Sequence, residues 1–208
     1  MQDLFTVIVT VFMGFFAIMN PIANTAVFVG LTGQQSVEQQ RRTAFKSVFT
    51  AFLVVAVFSL LGKAIFSLFG ITLPALRLSG GILVFIVGYH MLQGSSSTMH
   101  SSTDNSDQDI AISPLAIPIL SGPGTIATAM NYSAAGGFLQ ILVTIVAFAI
   151  LCVITVVCFL YGQRLVKYMG SEGIGIVTRL MGLILTVIAM QMFIQGVHDA
   201  KHLFDKLT

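Results

Sequence analysis

The chain has 208 residues, of which 56% are hydrophobic and only 9% charged, with a mean hydropathy of +0.94. Soluble domains carry about 25% charged residues, so this composition excludes a soluble globular protein and places the chain in a bilayer. A net charge of +2 is too small to suggest a nucleic-acid partner, and Cys152 and Cys158, six positions apart in one apolar run, lie on different helix faces and cannot form a local disulfide.

A spanning helix needs about 20 mostly apolar residues. Six runs qualify: 4–31, 46–69, 74–93, 110–132, 138–161 and 177–197. The N-terminus lacks the basic segment and cleavage site of a signal peptide, so the first run is expected to remain as a span. Near its middle stands Asn20-Pro21. Proline has no N–H and breaks a helix interior, yet Asn followed by Pro is also a good helix start, with Asn as N-cap and Pro at the first helical position. The pair therefore predicts two half-helices, the second starting near mid-membrane. Asn20 and Asn24 share a face there, with Thr25 beside them.

The second run follows a loop carrying Arg41, Arg42 and Lys46. The third opens on Arg77, either an interfacial anchor or a gate, and contains Gly80-Gly81, suited to close helix packing. His90 stands near its end, at the interface. Residues 94–109 hold two serine runs and three aspartates and read as a flexible polar linker. The fourth run repeats the helix start of the first at Gly122-Pro123-Gly124, with Ser121 as a second candidate cap, then Thr125, Thr128 and Asn131. Arg164, Lys167 and Arg179 lie between the fifth and sixth runs. Gln191 and Gln195 share a face of the sixth, and His198 and His202 fall on a short tail over 198–208.

The chain repeats itself. Pro21 and Pro123 are 102 positions apart, and the same offset relates residues 77–83 to 179–185, where five of seven pairs are identical. Leu60, Gly62 and Gly70 match Leu160, Gly162 and Gly170 at an offset of 100. Two units, 1–93 and 110–197, each hold three spans. An odd number forces the second to insert upside down, the inverted repeat common in secondary transporters. The expected fold is an all-α membrane protein of six helices in two inverted repeats, with helices 1 and 4 broken. Six lysines and arginines on the loops between spans 1–2 and 5–6, against Lys63, Arg77, Lys201 and Lys206 on the other side, predict both termini outside.

A half-helix N-terminus offers free N–H groups and about half a positive charge, enough to hold an anionic group without a lysine. The predicted substrate site is Asn20, Pro21, Asn24, Thr25, Gly122, Pro123, Gly124, Thr125 and Thr128, with Arg77 and Arg179 as candidate gates or anchors. All eight carboxylates fall outside the six runs, so no acidic proton relay is expected there. A coupling ion, H⁺ or Na⁺, would use freed carbonyls. Enzyme signatures are missing: no HExxH, GxSxG or P-loop occurs, so no catalytic residue, cofactor or metal is expected.

Residues 20–25 (Asn-Pro-Ile-Ala-Asn-Thr), 69–71, 76–82, 114–118 and 122–126 and Arg179-Leu180-Met181-Gly182, taken in order, resemble the MarC family over nearly the whole chain. The resemblance implies a bacterial inner-membrane protein of six spans, in a group that includes carriers of small neutral amino acids. This chain has Ala23 where the family pattern often has Gly, and Ala26 where it often has Pro. Residues and resemblance together lead to a secondary transporter of a small neutral solute, a neutral amino acid foremost, with the lipid bilayer as its surroundings. An exporter of metabolites or toxic compounds and a non-transporting scaffold are the alternatives.

Overall fold

A backbone in lipid must satisfy its own N–H and C=O groups, so long apolar runs fold there as helices. The computed structural model describes residues 4–94, 115–116, 119–134 and 136–205. Among them are α1 (Leu4–Met19), α2 (Pro21–Thr32), α3 (Val37–Phe69), α4 (Leu73–Leu92), α5 (Pro123–Ala134), α6 (Phe138–Leu160) and α7 (Gly162–Phe204), and no strand. Five helical stretches among the described residues are long and apolar enough to cross a membrane, α1 and α2 counting as one. Their outer faces carry large exposed apolar side chains such as Leu53, Val153 and Val187, as lipid contact requires.

The expected boundaries fit best where glycine, proline or a cap marks an end. α2 and α5 begin at Pro21 and Pro123, and α4 and α6 match the third and fifth runs within a residue. The second run instead starts nine residues earlier, at Val37, because Ser36 and Gln39 form a capping box: the Gln39 amide donates to Ser36 Oγ (3.3 Å) and the Ser36 amide to Gln39 Oε1 (2.9 Å). Arg41, Arg42 and Lys46 therefore ride on a helix, not a loop. The sixth run is likewise part of a longer helix, starting at Gly162 and reaching Phe204 through the expected tail. Gly170, with non-helical φ 65° and ψ 175°, interrupts it, so two helical segments meet there at a kink. In the fourth run α5 covers Pro123–Ala134, and before it Leu115, Ala116, Ile119 and Leu120 lie on a wider helical turn, in which the Ser121 amide donates to Ala116 O five residues back (2.9 Å). Residues 110–114, and the linker expected over 94–109 apart from Gly94, lie outside the described residues.

Side-chain neighbours fix the helix directions. Phe15 meets Phe148 at 5.0 Å between centroids, Thr155 Oγ1 reaches Met19 Sδ (3.7 Å) and Phe28 stacks on Phe159 at 4.4 Å, so α1–α2 runs parallel to α6. Arg77 meets Asn131, Gly80 faces Ala127 and Val84 faces Gly124, so α5 is antiparallel to α4. Gly81 lies against Ala189, Gly88 against Gly182 and Gly196 against Arg77 and Leu78, so α7 is antiparallel to α4. A Cβ at Gly88 would come within 2.9 Å of Gly182 O, and one at Gly182 within 2.7 Å of Gly88 O. The glycines let these two backbones touch, as expected for Gly80-Gly81 and Gly182. α2 packs on α6 and α7, while α5 packs on α3 and α4. The core is filled by Phe15, Phe148, Leu151, Val55, Val84 and Leu185.

Candidate functional site

At the first break the chain turns through Asn20, the one described non-glycine residue with positive φ (37°, ψ 74°). Asparagine tolerates this left-handed state because its short amide can bond locally. Here Asn20 Oδ1 accepts from the Ala23 amide (3.2 Å) and caps α2. The Asn24 side-chain amide donates to Met19 O, and Thr25 Oγ1 donates to Pro21 O (2.7 Å). Pro21 has no N–H, so the Ala17 carbonyl loses its usual partner four residues on. Most polar groups of this break are thus spent on its own backbone. One is not: Asn20 is 2% exposed and its Nδ2 has no partner.

The second break uses Gly122 where the first uses Asn20. Gly122 O accepts from the Ile126 amide (3.0 Å), so it stands at the N-cap, but it has no side chain to cap with. Ser121, the other candidate cap, instead donates its hydroxyl to Ala116 O (2.8 Å). The first-turn amides of Gly124 and Thr125 have no acceptor within their own helix. Both residues are buried, and Gly124 lies against the Ile18 side chain, just before the first break. The two breaks therefore adjoin.

The hydroxyls mark the same place. A helical threonine normally donates to the carbonyl four residues back. Thr25, Thr32, Thr144, Thr155 and Thr178, all buried, do so at 2.7–2.8 Å. Thr128, 2% exposed, leaves its hydroxyl without a partner. Its side chain leans toward the N-terminus of its helix, hence toward the open amides. Thr125, 3% exposed, stands in the first turn itself. Buried polar groups are almost always hydrogen-bonded, so the unpaired Thr128 hydroxyl and Asn20 amide make the junction of the breaks the candidate site. Of the nine expected site residues, the structure leaves Asn20, Gly124, Thr125 and Thr128 with groups to offer. Asn24 and Thr25 are tied to carbonyls, while Pro21, Gly122 and Pro123 shape the breaks.

Arg77 is not a headgroup anchor. Its side chain is 14% exposed, its Nε donates to Asn131 Oδ1 (2.9 Å) and its Nη1 pairs with Asp199. Asn131, expected near the pocket, serves this arginine instead. Asp199 was missed because the sequence places it on a tail, 122 positions from Arg77. The start of the third span and the end of the sixth share one face of an inverted repeat, a signal that could have paired the two charges. Arg179 is exposed, with Gly94 beside its guanidinium. Gln191 and Gln195 lie on the exposed face of α7, and His90 bonds Ile86 O (2.8 Å). No cluster of three or more His, Cys, Asp or Glu able to hold a metal occurs among the described residues.

Residues 5–200 match the family described as MarC family integral membrane protein. The chain is 39% identical to a UPF0056 membrane protein of Pyrococcus horikoshii over 90% of its length and 92% of the relative's. It is 35% identical to the UPF0056 membrane protein YvbG of Bacillus subtilis, covering 99% of both chains. A UPF0056 membrane protein of Methanocaldococcus jannaschii is 34% identical over 91% of this chain and 95% of the relative. No solved structure matches the chain.

Proposed function

We propose that this chain, which belongs to the MarC family of integral membrane proteins, is a secondary transporter that binds a small neutral solute, a neutral amino acid foremost, where its two interrupted helices meet. The observation that carries this reading is the gathering of buried, unpartnered polar groups at the breaks: Asn20 Nδ2, Thr128 Oγ1 and the open first turn of α5. The substrate carboxylate rests on the Gly124 and Thr125 amides and the Thr128 hydroxyl. The ammonium turns to the end of α1, where the Ala17 carbonyl has lost its partner and the helix dipole is negative. No side chain with full charge is needed, which suits a ligand that is neutral overall. No catalytic step or cofactor is involved.

The packing supports six crossings in two inverted units. α4 and α6 run the same way, so the chain between them has to cross back, and α5 with the turn before it is that crossing. An axis in the membrane plane exchanges α2 with α5, α3 with α6 and α4 with α7. Contacts of α2 with α6 and α7 are then matched by those of α5 with α3 and α4. Gly62 faces Met130 of α5, as Gly162 faces Val29 of α2. Gly70 and Gly170, equivalent in the repeat, both have positive φ (64° and 65°). Arg41, Arg42, Lys46, Arg164, Lys167 and Arg179 share one face, and the positive-inside bias assigns it to the cytoplasm of a cell membrane with both termini outside.

Reconstitution in liposomes tests the reading. Labelled glycine or alanine should accumulate above the level in empty liposomes under a gradient of H⁺ or Na⁺. Background uptake under every gradient would reject an amino-acid carrier.

A further inference from the structure

On the face where α4 begins and α5 and α7 end, four helices are tied together. Arg77, in the second turn of α4, pairs with Asp199 of α7 and donates to Asn131 of α5 (2.9 Å). Gly196, one turn before Asp199, lets the Arg77 stem lie flat on α7: a Cβ there would be 3.1 Å from Arg77 Cβ. Tyr132, the neighbour of Asn131, carries the tie to α1. Its ring meets Phe15 edge-on at 5.9 Å, and its hydroxyl covers Gly14 so closely that an added Cβ would lie 2.4 Å away.

Among the described residues, the equivalent positions of the opposite face do not repeat this tie. The repeat places Arg179 where Arg77 stands, but Val29 where Asn131 stands and Ser97 where Asp199 stands. Val29 cannot accept a hydrogen bond and packs on Gly162. Arg179 is exposed. On this face a cleft of about 230 Å³ opens between α2, α3, α6 and the start of α7, lined by Phe28, Val29, Gln40, Phe159, Tyr161 and Arg164 among others. Two ends that an inverted repeat would make alike therefore differ at these positions: one is closed by a partly buried ion pair, the other opens into a cleft.

We infer that Arg77, Asp199 and Asn131 form a latch that controls access to the breaks from the face where the chain starts, and that this structure is the state shut on that side. Separating the ends of α4 and α7 requires parting Arg77 from Asp199. That is costly while both charges stay largely out of water and cheap once water enters with them. A two-state barrier of this kind is what alternating access needs, and placing it at the face where the chain starts biases the resting state toward the other. The inference needs a path with two ends, as the proposed function does, but no particular solute.

Thiol labelling in nanodiscs tests it. The background is the full chain with Cys152→Ala and Cys158→Ala. Ser133→Cys reports the latched face, since Ser133 is buried beside Tyr132, and Val29→Cys reports the cleft. A hydrophilic maleimide should modify Ser133→Cys slowly, and Asp199→Asn should speed that at least about tenfold while Val29→Cys changes less than about twofold. Exchanging the charges, Arg77→Asp with Asp199→Arg, should slow it again. An unchanged rate at position 133, equal acceleration at both positions, or failure of the exchange to restore slow labelling would each overturn the latch. Labelling needs no transported solute, so the outcome is separate from that of the uptake assay.

Discussion

Asn20-Pro21 and Gly122-Pro123 occupy the same place in two halves of one repeat, and each starts a helix at its proline. Their chemistry diverges at the residue before the proline. Asn20 spends its Oδ1 on the Ala23 amide, and Asn24 and Thr25 tie off nearby carbonyls. Gly122 has nothing to spend, Ser121 is turned back to Ala116, and Thr128 is left with a free hydroxyl. The two copies thus differ: at the first break all but Asn20 Nδ2 of these polar groups are spent on the backbone, while at the second Thr128 Oγ1 has no partner. In the proposed function, a single cap decides which of the two helix starts can hold the ligand.

Giving the second break the cap of the first should have the largest effect. Gly122 stands before Pro123 of α5 as Asn20 stands before Pro21 of α2, so Gly122→Asn copies the first cap. Its side chain would take the first-turn amides of α5. Thermal unfolding in detergent should show a gain of only about a few tenths of a kcal/mol, typical of asparagine against glycine at an N-cap, while uptake falls by about 100-fold or more as the ligand's donors are consumed. Stability and transport moving together would break the comparison.

The charged ends follow. Arg77→Gln strands Asp199 and should cost about 1–3 kcal/mol in the same unfolding assay, less than a fully buried pair because Asp199 is 33% exposed. Arg179→Gln at the equivalent position should cost less than about 0.5 kcal/mol, as surface substitutions do. Equal costs would mean that the two faces are not as different as their partners suggest.

How much of this was legible follows from what each signal depends on. The starts of α2 and α5 were readable because proline acts on its own backbone. The Asn20 cap was readable because it reaches only three residues. The early start of α3 had a local signal too, the Ser36-Gln39 spacing, masked by the polar residues after it. The side chain of Asn24 was not readable as spent. The Asn24 bond depends on the left-handed turn at Asn20, which sets where the Met19 carbonyl points, and Thr25 makes the ordinary helical bond to the carbonyl four residues back. Asn131 and Asp199 were harder still. Their partner Arg77 lies 54 and 122 positions away, and only the packed bundle brings them together.

A smaller effect separates the threonines. Thr128→Val keeps the shape and removes a hydroxyl that bonds nothing in the protein, so stability should hold or rise slightly. Uptake should fall about tenfold, the worth of one hydrogen bond to a bound ligand. Thr144→Val removes a hydroxyl already satisfied by Gln140 O and should leave uptake within about twofold. A Thr128→Val protein that transports like Thr144→Val would remove Thr128 from the site.

The smallest change is expected from Asn20→Gly, which makes both breaks glycine–proline. The cap on Ala23 is lost, but glycine accepts φ 37° without the Cβ strain that asparagine bears. The two terms oppose each other, and an Asn-to-Gly change at an N-cap typically costs only a few tenths of a kcal/mol. For a chain of this size that moves Tm by about 1 °C. Uptake should fall no further than with Thr128→Val, since each change removes one unpartnered group. A loss as deep as that of Gly122→Asn would place the carboxylate on α2 as well, and the two breaks would then share the ligand instead of dividing its ends between them.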